Sequence, residues 1–171
     1  MKQKLRLMVI NIVIFACWSC TSHLSPRDLD TQAVSTIPSL QNIKPVTIRA
    51  KLVGSKERVQ PLAGADILVN EDEFSQVLVE RLIDSLKHNN VPVVPASDRS
   101  IEIQVVRVSL QPDMTFYCVI DFNRKLGNGE FYGFQSRSKN WNYETACEDA
   151  IKTTVTDILH DQDTIKYLRG E

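Results

Sequence analysis

The sequence predicts an α+β fold: a two-layer sandwich in the order βαβββα, with an antiparallel sheet of three to four strands and two helices on one face. Three observations predict it. Several stretches alternate apolar and polar residues with period two. Two others carry apolar stripes at helical spacing, and Gly127-Asn128-Gly129 separates two of the strand-like runs. An amphipathic helix needs a covered face and a sheet with one apolar side supplies it. The region concerned, residues 46–171, is about 125 residues long, enough for one core.

Val46, Ile48, Ala50 and Leu52 alternate with Thr47, Arg49 and Lys51, which predicts a strand over 45–53. Gly54, Pro61 and Gly64 then predict a loop. Asn70 precedes Glu71-Asp72-Glu73, an N-cap residue followed by acids in a first helical turn. Phe74, Val77, Leu78, Leu82 and Leu86 form the stripe of that helix, widened by Val79 and Ile83, and His88-Asn89-Asn90 closes it before Pro92. Ile101, Ile103 and Val105 form the next strand, but Val106, Val108 and Leu110 take the opposite parity. The switch predicts a bulge or burial on both faces near Val105. Phe116, Cys118, Ile120 and Phe122 mark a third strand, Asn128-Gly129 a two-residue hairpin turn, and Phe131 to Trp141 the returning strand. From Asn142 or Tyr143 a helix carries Cys147, Ile151, Val155 and Ile158 on one stripe, with Ala146, Ala150 and Leu159 beside it.

The first twenty residues have a different character. Lys2, Lys4 and Arg6 precede an apolar run from Leu7 to Ala16 broken only by Asn11, the pattern of a signal peptide. Cysteines follow where a small-residue cleavage site would otherwise stand, so the start resembles a bacterial lipobox, in which the cysteine after the cut carries lipid. Cys17, behind Ile14-Phe15-Ala16, has an aliphatic residue at −3 and a small one at −1. Cys20, behind Cys17-Trp18-Ser19, has only the small −1, but its use as the anchor leaves an even number of cysteines to pair. Both remain candidates for lipidation. The removed segment holds three basic residues and no acid, leaving 17 basic against 21 acidic residues and a net charge of −4. That charge argues against adhesion to anionic headgroups, so the expected membrane attachment is through an N-terminal lipid anchor. Trp18 or Thr21 would follow the anchor, and neither is the aspartate that holds enteric lipoproteins at the inner membrane, so the expected address is the outer membrane, facing the periplasm. Residues 21–45, rich in Ser, Thr, Pro, Gln and Asn, read as a flexible tether, and 46–171 as a single periplasmic domain.

The lipobox-like start, the helix FSQVLVERLIDSL followed by VPVVP, the hairpin, and the terminal stretch Ala150 to Leu168 together resemble the YajG-like family of bacterial envelope lipoproteins. The resemblance implies a small domain tethered to a membrane, with no catalytic residues to carry over. Cys118 and Cys147 are not part of it.

The chain's balance of 20 basic and 21 acidic residues gives no reason to expect the concentrated basic face that phosphate neutralisation needs, and no nucleic-acid partner is expected. Tyr132-Gly133-Phe134 echoes an RNA-recognition strand, but Glu130-Phe131 stands where that motif has a basic residue and glycine. His23, His88 and His160 are scattered. Asp157, His160, Asp161 and Asp163 cluster at a helix end, which rarely supplies a closed ligand set, so no metal and no cofactor are expected. Asp121 and Glu130 near the hairpin are the sole basis for a hydrolase, and strand carboxylates are ordinarily solvated. No enzyme is expected.

Two features point elsewhere. Eight aromatic residues fall on the last two strands and the following turn, more than one core-facing side can take, and Tyr117, Phe131, Tyr132 and Trp141 are the candidate interaction surface. Cys118 shares parity with Phe116, Ile120 and Phe122, and Cys147 shares the stripe of Ile151, Val155 and Ile158, so a disulfide between them is expected. The expectation is a non-catalytic lipoprotein binding an envelope protein partner, or an accessory subunit of an envelope lipid or solute transport system.

Overall fold

The computed structural model describes residues 21–29, 40, 43–62 and 64–171. Cys17 and Cys20, the lipidation candidates, lie outside the described residues. Among these, strands β1 (Thr21–His23), β2 (Thr47–Ala50), β3 (Arg58–Leu62) and β4 (Ala65–Val69) precede helix α1 (Glu71–His88). Strands β5 (Ser100–Pro112), β6 (Phe116–Leu126) and β7 (Phe131–Asn140) follow, then helices α2 (Tyr143–His160) and α3 (Gln162–Arg169). The fold is an α+β two-layer sandwich. A large sheet of order β2-β5-β6-β7 carries α1 and α2 on one face, and a small sheet of order β1-β4-β3 adjoins it.

Two features of the expected architecture are corrected. The large sheet is mixed rather than antiparallel, because β2 runs parallel to β5, with Thr47 opposite Ser100 and Ala50 opposite Ile103. The expected loop over 54–64 contains β3 and β4, an antiparallel pair in register from Arg58 opposite Val69 to Leu62 opposite Ala65. Pro61 is compatible with this because β3 is an outer strand of its sheet. The expected tether is likewise corrected in its described residues. Thr21–His23 pairs in parallel with Asp66–Leu68 of β4, and Leu24, Leu29, Leu40 and Ile43 are buried in the core. A three-residue strand and isolated core plugs leave no periodicity to read.

Local chemistry explains the larger elements. Asn70 caps α1, its Oδ1 accepting from the N–H groups of Asp72 and Glu73. At the other end Asn90 takes φ 59°, and the Asn90 and Val91 N–H groups donate to the Lys87 and Leu86 carbonyls, a Schellman closure sealed by buried Val91. The bulge falls between Val105 and Arg107. On the opposite edge of β5, where β2 has just ended, the Val105 N–H donates to Ser75 Oγ of α1 at 2.8 Å. Above this level β2 has ended, and the Gln60 side-chain amide stands in for it, donating to Val108 O at 2.6 Å and accepting from Leu110 N at 2.8 Å. The hairpin turn also differs in type from the expectation. Gly129 N–H donates to Leu126 O, Leu126 N–H to Glu130 O, and Gly129 alone in the turn has positive φ, 95°. Gly127-Asn128 is therefore the centre of the turn, and left-handed Gly129 follows it as a bulge residue.

Candidate functional site

Strand parity divides the large sheet. Ile101, Ile103, Val105, Val108 and Leu110 of β5, with Cys118, Ile120, Phe122 and Leu126 of β6, are buried beneath the helices. The other face carries Glu102, Gln104, Asn123 and Lys125, which with Lys51 and Phe131 line a shallow depression of about 190 Å³. Further along that face Arg137 lies over the Tyr117 ring, 4.0 Å from its centroid, and Gln135 Nε2 donates to Asp121 Oδ1 at 2.6 Å. It is a polar face laced by cross-strand pairs, with no layer of the described residues covering it.

The structure splits the four aromatics expected to form one surface. Tyr117 and Phe131 share the uncovered face but stand at its opposite ends, opposite Lys139 and Lys125. Tyr132, opposite Arg124, belongs to the helix side. There its hydroxyl is held above its ordinary pKa by the nearby carboxylates of Asp163 and then Glu130. Trp141 lies beyond the end of β7, exposed. Asp121 and Glu130 are not brought together either: Asp121 sits four rungs from the Lys125–Phe131 pair that Glu130 adjoins, roughly 14 Å along the strand. Cys118 and Cys147 are joined by a disulfide with Cα atoms 5.0 Å apart, tying β6 to the second turn of α2.

A buried cation escaped the sequence reading. Arg124 is wholly buried, its guanidinium over the adjacent Tyr132 and Phe134 rings at 4.9 and 5.0 Å. Its Nη1 donates to Asp161 Oδ2 and Thr164 Oγ1, while its Nε and Nη2 have no hydrogen-bond partner among the described residues. Asp161 also caps α3, accepting from Thr164 N at 2.7 Å. Partial burial pushes the Asp161 carboxyl up, but the Thr164 N–H, the Arg124 guanidinium and the Thr164 hydroxyl outweigh it and hold it below the ordinary carboxylate value. The available signal was that Arg124 shares the parity of Phe122 and Leu126. With Asp161 engaged by Arg124 and Asp157 by Ser136, the acidic helix end is structural. Among the described residues no group of three or more His, Cys, Asp or Glu side chains is placed to hold a metal.

At the hairpin end an open groove of about 780 Å³ is lined by Lys44, Asp98, Arg99, Asn128, Tyr167 and Glu171, among others. The Tyr167 hydroxyl accepts from Ser100 N at 2.9 Å and Gly127 N at 3.1 Å, docking α3 on the sheet. Gly127 is required here, since a Cβ would stand 2.5 Å from that hydroxyl oxygen. Tyr167→Phe is expected to cost about 1–3 kcal/mol, because it strands a partly buried N–H. Urea denaturation checks this, and an unchanged midpoint would show that water replaces the hydroxyl.

The fold and its surfaces define a class first: a disulfide-tied α+β sandwich with one bare sheet face. Among solved structures it is similar to the crystal structure of protein XCC0632 from Xanthomonas campestris, of the family model DUF330. The two chains share 13% identity at a TM-score of 0.59, over 83% of this chain and 94% of that one. At that identity the likeness is one of fold. No protein-family model and no curated protein matches the sequence.

Proposed function

We propose that the chain is a lipid-anchored bacterial envelope protein of the YajG-like kind, held at the outer membrane, whose periplasmic domain binds another envelope component. The observation that carries this reading is the wholly buried Cys118–Cys147 disulfide behind a lipobox-like start, since structural disulfides belong to oxidising compartments. The bare face of β2-β5-β6-β7 is the surface offered to the partner, its polar residues with half-buried Tyr117 and exposed Phe131 being those of a non-obligate interface.

Labelling with a clickable fatty acid tests the anchor. One of Cys17→Ala and Cys20→Ala should abolish the label and release the protein from the membrane fraction; soluble, unlabelled wild type would overturn the reading. A photo-crosslinker placed in cells at Gln104 or Gln135 should capture one defined envelope protein. If that protein belongs to a transporter, the chain is an accessory subunit of it, and if neither position captures anything, the bare face is not the binding surface.

A further inference from the structure

We propose that the end of the sandwich bearing Met114 and Trp141 sits in the headgroup layer of the membrane that holds the chain, an inference that rests on the lipid anchoring proposed above. The last rungs of the large sheet pair Pro112 with Phe116 and Phe116 with Asn140. Met114, in the β5–β6 turn, and Trp141, just past β7, therefore lie beyond the same end, 89% and 78% exposed.

The chain enters the domain at that end. Arg58 and Gln60 both reach Val108 O, and Gln60 also reaches Leu110 N, so β3 runs in the direction of β5 and its hairpin with β4 points toward the Met114 turn. β1 lies parallel to β4 with Thr21 opposite Asp66, beside that hairpin turn. Because β1 belongs to the fold, the leash is short. Thr21 is adjacent to Cys20 and four residues from Cys17, so its Cα stands within about 4 Å of the one or about 14 Å of the other even when the chain is fully extended. An acylated cysteine at either position brings the small-sheet end to the bilayer surface, and Met114 and Trp141 with it.

The two side chains suit that environment. Tryptophan places an apolar body in the interface and its N–H toward water, and methionine is an adaptable apolar residue. Asp113, Lys139 and Glu144 flank them, a mixed set with no basic excess, so the contact is with neutral, zwitterionic headgroups rather than through basic attraction to anionic lipid.

The test uses the full acylated chain carrying Trp18→Phe, which leaves Trp141 as its single tryptophan, in phosphatidylcholine vesicles containing dibrominated phosphatidylcholine. Trp141 emission should shift to the blue and fall by roughly half, independent of salt. In a Trp18→Phe, Trp141→Phe, Phe131→Trp chain, tryptophan at the opposite end should be unaffected by the brominated lipid. Fatty-acid-labelled protein with unquenched Trp141 overturns this orientation and leaves the anchoring intact, and equal quenching at position 131 does the same. Trp141 shielded from aqueous iodide yet untouched by brominated lipid means a protein covers it, which also overturns the proposal. Unlabelled, soluble protein overturns the anchoring reading and this one together.

Discussion

Replacing Cys118 and Cys147 together by alanine is expected to lower folding stability by about 3 to 4 kcal/mol, the chain-entropy value for closing a loop of this size. The bond spans a sequence separation of 29 and joins two wholly buried residues, one on β6 and one on α2. Packed layers ordinarily lie roughly 10 Å apart, so Cα atoms 5.0 Å apart require the helix to come down on the sheet. Buried Ala146 and Ala150 flank Cys147 and keep that side of α2 small enough to do so. Because the bond acts chiefly on the unfolded chain, the variant should keep the native fold and unfold at lower urea, and reductant should shift the wild type but not the variant. A loss below about 1 kcal/mol would show that native strain or residual structure in the unfolded chain cancels the gain of the cross-link.

What could be read from the sequence was whatever has a local signal. Asn70 before three acids, the stripe from Phe74 to Leu86 and the parity switch after Val105 each lie within one element, and each marks a feature the structure contains. The shared core parity of Cys118 and Cys147 is a signal of the same kind. The small sheet has none: Gly54, Pro61 and Gly64 are local breakers, and β1 is three residues long, so only the tertiary pairing with β4 makes it a strand. The parallel placement of β2 against β5 is a matter of topology, which alternation does not encode. α3 was not expected, because the stripe of the preceding helix was read only as far as Leu159 and the short segment beyond it holds few apolar residues. Asp161, with ψ at 124°, ends α2 and starts α3 with its own side chain. The aromatics misled because Tyr132 and Phe131 are neighbours in sequence and therefore point to opposite faces of the sheet.

The second large effect is an asymmetry between the partners of the buried ion pair. Asp161→Ala is expected to cost about 3–5 kcal/mol, because it leaves the Arg124 guanidinium charged, wholly buried and without its carboxylate, and removes the cap of α3 as well. Arg124→Met should cost no more than about 2 kcal/mol. It forfeits the cation–π contact with Tyr132 and Phe134 but puts an apolar chain against them, and Asp161, being partly exposed, keeps water and its Thr164 bonds. The double variant should therefore be more stable than Asp161→Ala alone, and strictly additive losses would show that no charge is stranded. The pH dependence carries the same signature. The Asp161 carboxyl lies below its ordinary value in the folded protein, so its stabilisation is fully present above the unfolded value of about 3.9 and is lost as pH falls through the folded one. Asp161→Asn should accordingly differ most from wild type near neutral pH, with the gap narrowing below about pH 4. A gap that stays constant down to about pH 2 would mean that the carboxylate charge contributes nothing to the docking of α3.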